Sequence, residues 1–179
     1  MSKQLRYLLD ADSFIRSKRD HYAFDICPGY WDALLRAFRQ KQVSSIVPVR
    51  NELLRGKDAL ADWVKEQAPE SFFEAVTGQA VQTAYANVIQ WVQDSEQYKP
   101  AEKRKFASGA DPWLVAVAST KCRVLVTYEV AGLGTKSKVK LPDVARQFKV
   151  ECIQPFTMLR QLGVILTLRR DAQKSGTHR

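Results

Sequence analysis

Short apolar runs that stop at acids, set between stretches of helical spacing, make up most of this chain. Tyr7-Leu8-Leu9, after Leu5 and Arg6, ends at Asp10, and Asp12 follows two residues on. A run this short, followed by turn-forming residues, predicts a buried strand. Ser13 to Lys18 starts a helix, and Asp25 to Gly29 is a loop. Tyr30 to Gln40 carries Trp31, Leu34, Leu35 and Phe38 on one helical stripe. Ser44 to Val49 reads as a strand or its end. Arg50 to Arg55 then opens a helix with Glu52 in its first turn. Gly56-Lys57-Asp58 breaks that helix and Ala59 to Gln67 resumes it. Ser71 to Glu96 reads as one long helix with an apolar face from Phe72 to Val92 and a bend at Gly78. Ala101 to Phe106 is a charged, exposed face. Asp111 as N-cap and Pro112 as first residue open a helix running to Thr120. Arg123 to Thr127 is the clearest strand, with Glu129 just beyond it. Gly132 to Lys138 is a basic loop without the phosphate-loop pattern. Leu141 to Ala145 starts a short helix, Val150 to Ile153 is a strand, Phe156 to Leu162 is a helix, and Val164 to Leu168 reads as an extra edge strand. Strands alternating with helices predict an α/β fold: a three-layer α/β/α sandwich on a mainly parallel central sheet, with an inserted long helix. Residues 1–168 read as a single domain and 169–179 as a basic, disordered tail.

Composition adds charge to this picture. An apolar fraction of 45% and a charged fraction of 26% are ordinary, but a net charge of +9 is not. Such a field draws polyanions, nucleic acid first and an acidic protein second. Cys27, Cys122 and Cys152 are odd in number and far apart, which predicts free buried thiols and no zinc ribbon. The N-terminus lacks a signal-peptide apolar region, and no apolar run approaches the ~20 residues of a membrane span. A cytoplasmic protein without membrane contact is expected. With only His21 and His178, a metal site would be built from oxygens, favouring Mg2+ or Mn2+.

Four acids stand at comparable places. Asp10 ends the first strand, Glu52 and Asp111 open helices, and Glu129 follows a strand. Each has a structural role available by itself: turn or cap for the two aspartates, helix dipole for Glu52. In a parallel sheet, strand ends and helix starts share one edge, so the four can converge there. Like charges so gathered repel until one protonates, and a divalent cation removes that conflict. Two such ions about 4 Å apart can activate water and stabilise the leaving oxygen of a phosphodiester.

Asp10-Ala11-Asp12-Ser13, Asn51-Glu52-Leu53, Gly109-Ala110-Asp111-Pro112-Trp113-Leu114-Val115-Ala116-Val117-Ala118 and Val124-Leu125-Val126-Thr127-Tyr128-Glu129 follow the order of the four motifs of PIN-domain nucleases. Over residues 5–156 the chain resembles that family, near the ribonuclease toxins of toxin–antitoxin pairs. The resemblance implies a metal-dependent endonuclease on single-stranded RNA, structured RNA included. Asp10, Glu52, Asp111 and Glu129 would be both catalytic and ligands of Mg2+ or Mn2+. Ser13 and Thr127 would support the site, with Asp12 beside it and Asp143 as a substitute or fifth acid. Arg16, Lys18, Arg19, Arg50, Arg55, Lys136 and Lys138 are the candidates to meet RNA phosphates. An antitoxin protein partner and a homodimer are also implied. The chain departs from the family pattern at Asp12, where Asn is frequent, and at Glu129, where Asp or Asn is usual. Two other functions compete. Asp10-Ala11-Asp12 resembles the nucleophile motif of haloacid-dehalogenase-like phosphatases, although Phe14 and the single acid in Gly109–Pro112 break that pattern. The other is a PIN-like scaffold that binds RNA or protein without cutting.

Overall fold

Apolar triplets build the centre of the sheet. The structure, a computed structural model, describes residues 6–132 and 138–167. Its strands are β1 (Tyr7–Leu9), β2 (Val43–Ile46), β3 (Phe73–Glu74), β4 (Val124–Val126) and β5 (Cys152–Ile153). All pair in parallel, in the order β3-β2-β1-β4-β5. Tyr7 faces Val43 on one side and Val124 on the other, and Leu9 faces Val126. Every residue of β1 and β4 is buried. Parallel sheets covered on both faces need such unbroken apolar runs instead of alternation. β2 is also fully buried although it carries two serines. Ser45 Oγ donates to the Leu9 carbonyl at 2.7 Å, so its hydroxyl also ties β2 to β1.

The helices are α1 (Ala11–Arg16), α2 (Pro28–Arg39), α3 (Val47–Arg55), α4 (Ala59–Glu66), α5 (Gln79–Asp94), α6 (Pro100–Ser108), α7 (Asp111–Lys121), α8 (Leu141–Gln147) and α9 (Pro155–Gln161). With the parallel sheet they form the expected α/β fold, a three-layer α/β/α sandwich. α7 is buried along Leu114 to Ala118, and its small residues let α5 lie along it. There Tyr85 stacks on Trp113 with ring centroids 3.7 Å apart. Among the described residues no helix is long and apolar enough to cross a membrane.

Several boundaries differ from the sequence expectations. The long helix does not start at Ser71. Glu70–Phe72 is a 3-10 turn, Phe73–Glu74 is the edge strand β3, and the helix begins only at Gln79, after Gly78. Phe72 and Phe73 fit a helical stripe, but they are buried in an aromatic cluster around Phe14, and pairing with β2 decides the backbone. Val47–Val49 belongs to α3 and not to β2, because Pro48 sits at a helix start where its missing N–H is not needed. Val164–Thr167 forms no strand: Gly163, at φ +66°, closes α9, and Ile165 is 84% exposed. Cys122 is exposed and not buried, since it takes the left-handed position that ends α7. Cys27 and Cys152 are half-buried, and all three thiols are free. Leu5, Lys136, Leu168 and the 169–179 tail lie outside the described residues.

Phe14 is fully buried and has Trp63, Phe72 and Phe73 at centroid distances of 6.2, 6.0 and 6.4 Å. It anchors α1, and hence the residues after β1, to this core. Phe14→Ala is expected to destabilise the chain by about 3–5 kcal/mol in urea unfolding. A loss under about 1 kcal/mol would mean that the cluster does not hold α1 in place.

Candidate active site

β1 and β4 are neighbours at the centre of the sheet, and the strand order runs outward from them in opposite directions. Ligands of open parallel sheets bind beyond the carboxyl ends of strands at such a reversal. Asp10 stands there, 3% exposed. It caps α1: one carboxylate oxygen, Oδ1, accepts the Ser13 N–H at 2.6 Å. The Ser13 hydroxyl donates to the Val126 carbonyl at 2.7 Å and so binds the start of α1 to β4. Thr127, also buried, hydrogen-bonds the Asp10 carboxyl and accepts the Glu129 N–H at 3.0 Å. Burial pushes the Asp10 pKa up to about 7, against the lowering effect of the Thr127 and Ser13 hydrogen bonds.

Glu52 and Asp111 both depart from the roles their sequence positions suggest. Glu52 is not in the first turn of its helix, since α3 begins at Val47. Its Oε1 instead accepts the Ala110 N–H at 2.8 Å, a group that precedes α7 and that α7 itself leaves unpaired. Asp111 is not an N-cap. Ala110 holds that position and Asp111 is the first helical residue. Among the described residues no hydrogen-bond donor meets the Asp111 carboxylate. Its pKa is pushed up to about 7, first by burial and then by the charges of Asp10, Glu129 and Glu52, with Lys138 opposing. The other three predicted acids therefore all act on Asp111.

Glu129 is held by two donors: Oε1 accepts the Lys138 ammonium, and Oε2 accepts the Leu141 N–H at 3.0 Å. Lys138, a candidate for the RNA-facing surface, belongs to the site itself. Burial works against its charge. The Glu129 hydrogen bond and the nearby carboxylates of Glu129, Asp111 and Asp12 outweigh this and hold its pKa above the usual lysine value. Beside these groups a cavity of ≈ 190 Å³ is lined by Glu52, Asp111, Lys138, Glu102, Lys105 and Phe106, among others.

The remaining candidates scatter. Asp12 is half-exposed and 3.9 Å from Arg16, with its pKa raised chiefly by burial. Asp143 is buried, accepts the Gly132 N–H at 2.9 Å and lies 3.6 Å from Arg146, so it braces the loop after Glu129. Its Oδ1 lacks a hydrogen-bond partner among the described residues. Lys18 pairs with Asp58 at 2.9 Å and Arg19 with Asp20 at 2.6 Å. Arg16 contacts Asp12 and Asp20, Arg55 is exposed, and Arg50 is half-buried.

Among the described residues no group of three or more His, Cys, Asp or Glu side chains is set to hold a metal ion as it stands. Carboxylate oxygen is the donor type that a hard divalent cation takes. In this arrangement the Lys138 ammonium supplies the positive charge at Glu129. The role of Lys138 had no signal in the sequence, because a loop lysine nine residues beyond Glu129 looks like any solvated cation.

A family model described as a domain of unknown function, DUF4411, matches residues 7–166. The chain belongs to the DUF4411 family. That description assigns no activity. No curated protein matches this DUF4411 chain. Among solved structures it is similar to the crystal structure of PAE2754 from Pyrobaculum aerophilum. The TM-score is 0.40 at 15% identity, over 81% of this chain and 97% of that one. A likeness that distant establishes nothing about function.

The raised carboxyls make stability depend on pH. The folded DUF4411 chain keeps protons on Asp10 and Asp111 where the unfolded chain, with ordinary carboxyls, has lost them. Their contribution is therefore full below about pH 4 and is lost as pH rises through about 7. Asp111→Asn in EDTA should melt higher than the native chain at pH 8, and the gap should shrink towards pH 4.5. An equal difference at both pH values would show that Asp111 is an ordinary carboxylate.

Proposed function

We propose that this DUF4411 protein is a single-stranded RNA endonuclease of the PIN kind, dependent on Mg2+ or Mn2+, and the toxin of a toxin–antitoxin pair. The observation that carries this reading is the set of charges acting on Asp111. They are Asp10, Glu52 and Glu129, the acids that the motif resemblance selects. Asp10, Glu52, Asp111 and Glu129 would hold the ion or ions. Once bound, such an ion supplies hydroxide near neutral pH and neutralises charge on a departing phosphate oxygen.

The chain's own residues do the rest. Thr127 and Ser13 fix the Asp10 carboxyl, and Leu141 N–H and Thr127 fix Glu129. Lys138 offers the site a cation for a substrate phosphate. The net charge of +9 draws RNA in, with Arg16, Lys18, Arg19, Arg50 and Arg55 as its contacts and Lys136 a further candidate. An antitoxin would cover the acids with a basic side chain, much as Lys138 does within the chain. A toxin of this kind would act in the cytoplasm.

Asp10→Asn and Asp111→Asn should each abolish Mn2+-dependent cleavage of single-stranded RNA, a loss of about 1,000-fold or more, while the circular dichroism spectrum stays native. Retained cleavage in both variants would remove the carboxylate site. Expression of the native chain alone should slow bacterial growth and Asp10→Asn should relieve it. Growth unaffected by either would remove the toxin role and leave the nuclease standing.

A further inference from the structure

α1 does not end as an α-helix. Ser17–His21 continues it as a π-helical turn, closed by the Tyr22 N–H on the Ser17 carbonyl at 2.6 Å. Such turns are rare and recur at functional sites. This one sets His21 among aromatic rings. Its ring centroid lies 5.2 Å from Tyr128, tilted 31°, and 5.4 Å from Phe156, nearly edge-on at 69°. Tyr22, 6.0 Å from Phe156, is pinned from below by stacking on buried Tyr30 at 4.1 Å. His21 is exposed and Phe156 is 38% exposed, so the group presents aromatic surface outward. Core packing does not require this arrangement.

The rings adjoin Asp12 through Arg16. Tyr128 lies between Thr127 and Glu129 in the chain. The Arg16 guanidinium sits 4.7 Å from the Tyr128 ring centroid and 3.9 Å from Asp12. Arg160 adds positive charge beside Tyr22, whereas Arg19 is held by Asp20. Exposed rings flanked by arginines suit single-stranded nucleic acid. Unpaired bases offer their faces for stacking while the cations meet the backbone, whereas a duplex keeps those faces buried.

We propose that the exposed His21 ring, lying over Tyr128 and buttressed from the side by Phe156, is a shelf on which one unpaired base of the RNA stacks, next to the phosphate held at the acidic site. The position of that phosphate rests on the ribonuclease reading above; the shelf itself does not need cleavage.

The test measures binding by the full Asp10→Asn chain in EDTA, where nothing is cut. The probes are a fluorescent oligoadenylate and an abasic ribose-phosphate oligomer of the same length. His21→Ala and Phe156→Ala should each weaken oligoadenylate binding about five-fold or more and leave abasic binding unchanged. His21→Tyr and Phe156→Trp, which keep a stacking face, should retain affinity. Unchanged oligoadenylate affinity in folded Ala variants would overturn the shelf and leave the surface to a protein partner. An equal loss on the abasic oligomer, or failure of the two conservative variants to rescue, would overturn it in favour of a structural role. No RNA binding at all would also overturn it. Mn2+-dependent cleavage by the native chain is scored separately, so the shelf and the ribonuclease reading can fail independently.

Discussion

Carboxyl groups placed in poorly solvated surroundings beyond the ends of β1 and β4 resist ionising, and this part of the structure is arranged around that constraint. Asp10 and Asp111 hold their protons to about pH 7 chiefly through burial, and at Asp111 the neighbouring acids add to it. Glu129 responds with an ammonium and a backbone N–H, and Glu52 with the Ala110 N–H. Burying charge without a partner is unfavourable, and an apolar group at Asp111 would be simpler to fold. A site that keeps four acids at such a disadvantage points to a purpose other than stability.

The fold makes that gathering possible with few contacts. Parallel pairing of β1 with β4 brings Asp10 and Thr127 side by side, and the Ser13 and Thr127 hydroxyls join the two strand ends. Ser45 fastens β2 to β1 from the other flank. Glu52 links α3 to the start of α7, so the residues around Asp111 are placed by an element far away in sequence. Each link is a polar group that also meets its own hydrogen-bonding need, which keeps the buried edge of the sheet nearly free of unsatisfied groups.

Much of this was legible from residue pattern. β1 and β4 read correctly because an unbroken apolar triplet ending at an acid, in a chain of alternating elements, fits a buried parallel strand and little else. The nearness of Asp10, Glu52 and Glu129 to Asp111 could be expected because motif order and strand ends agreed. Four things stayed hidden. Phe72 and Phe73 fit a helical stripe as well as a two-residue strand, and only pairing with β2 decides between them. A capping role for Asp111 depended on one residue of register: the helix starts at Asp111, not after it. The π turn after α1 has no periodic signature, so the meeting of His21 with Tyr128 and Phe156 could not be read from spacing. Lys138 escaped for a related reason, since its partners become neighbours only through tertiary contact.

The central claim is that the acids form one unit whose charge a divalent cation satisfies. Calorimetric titration of Mn2+ into the native chain at pH 6.5, in two buffers of different ionisation enthalpy, tests this most directly. The account predicts saturable binding that releases protons, because Asp10 and Asp111 must lose theirs to bind metal. It also predicts that the release fades by pH 8.5 and that Asp111→Asn weakens the binding. Absence of saturable binding, or binding that neither releases protons nor depends on Asp111, would contradict it.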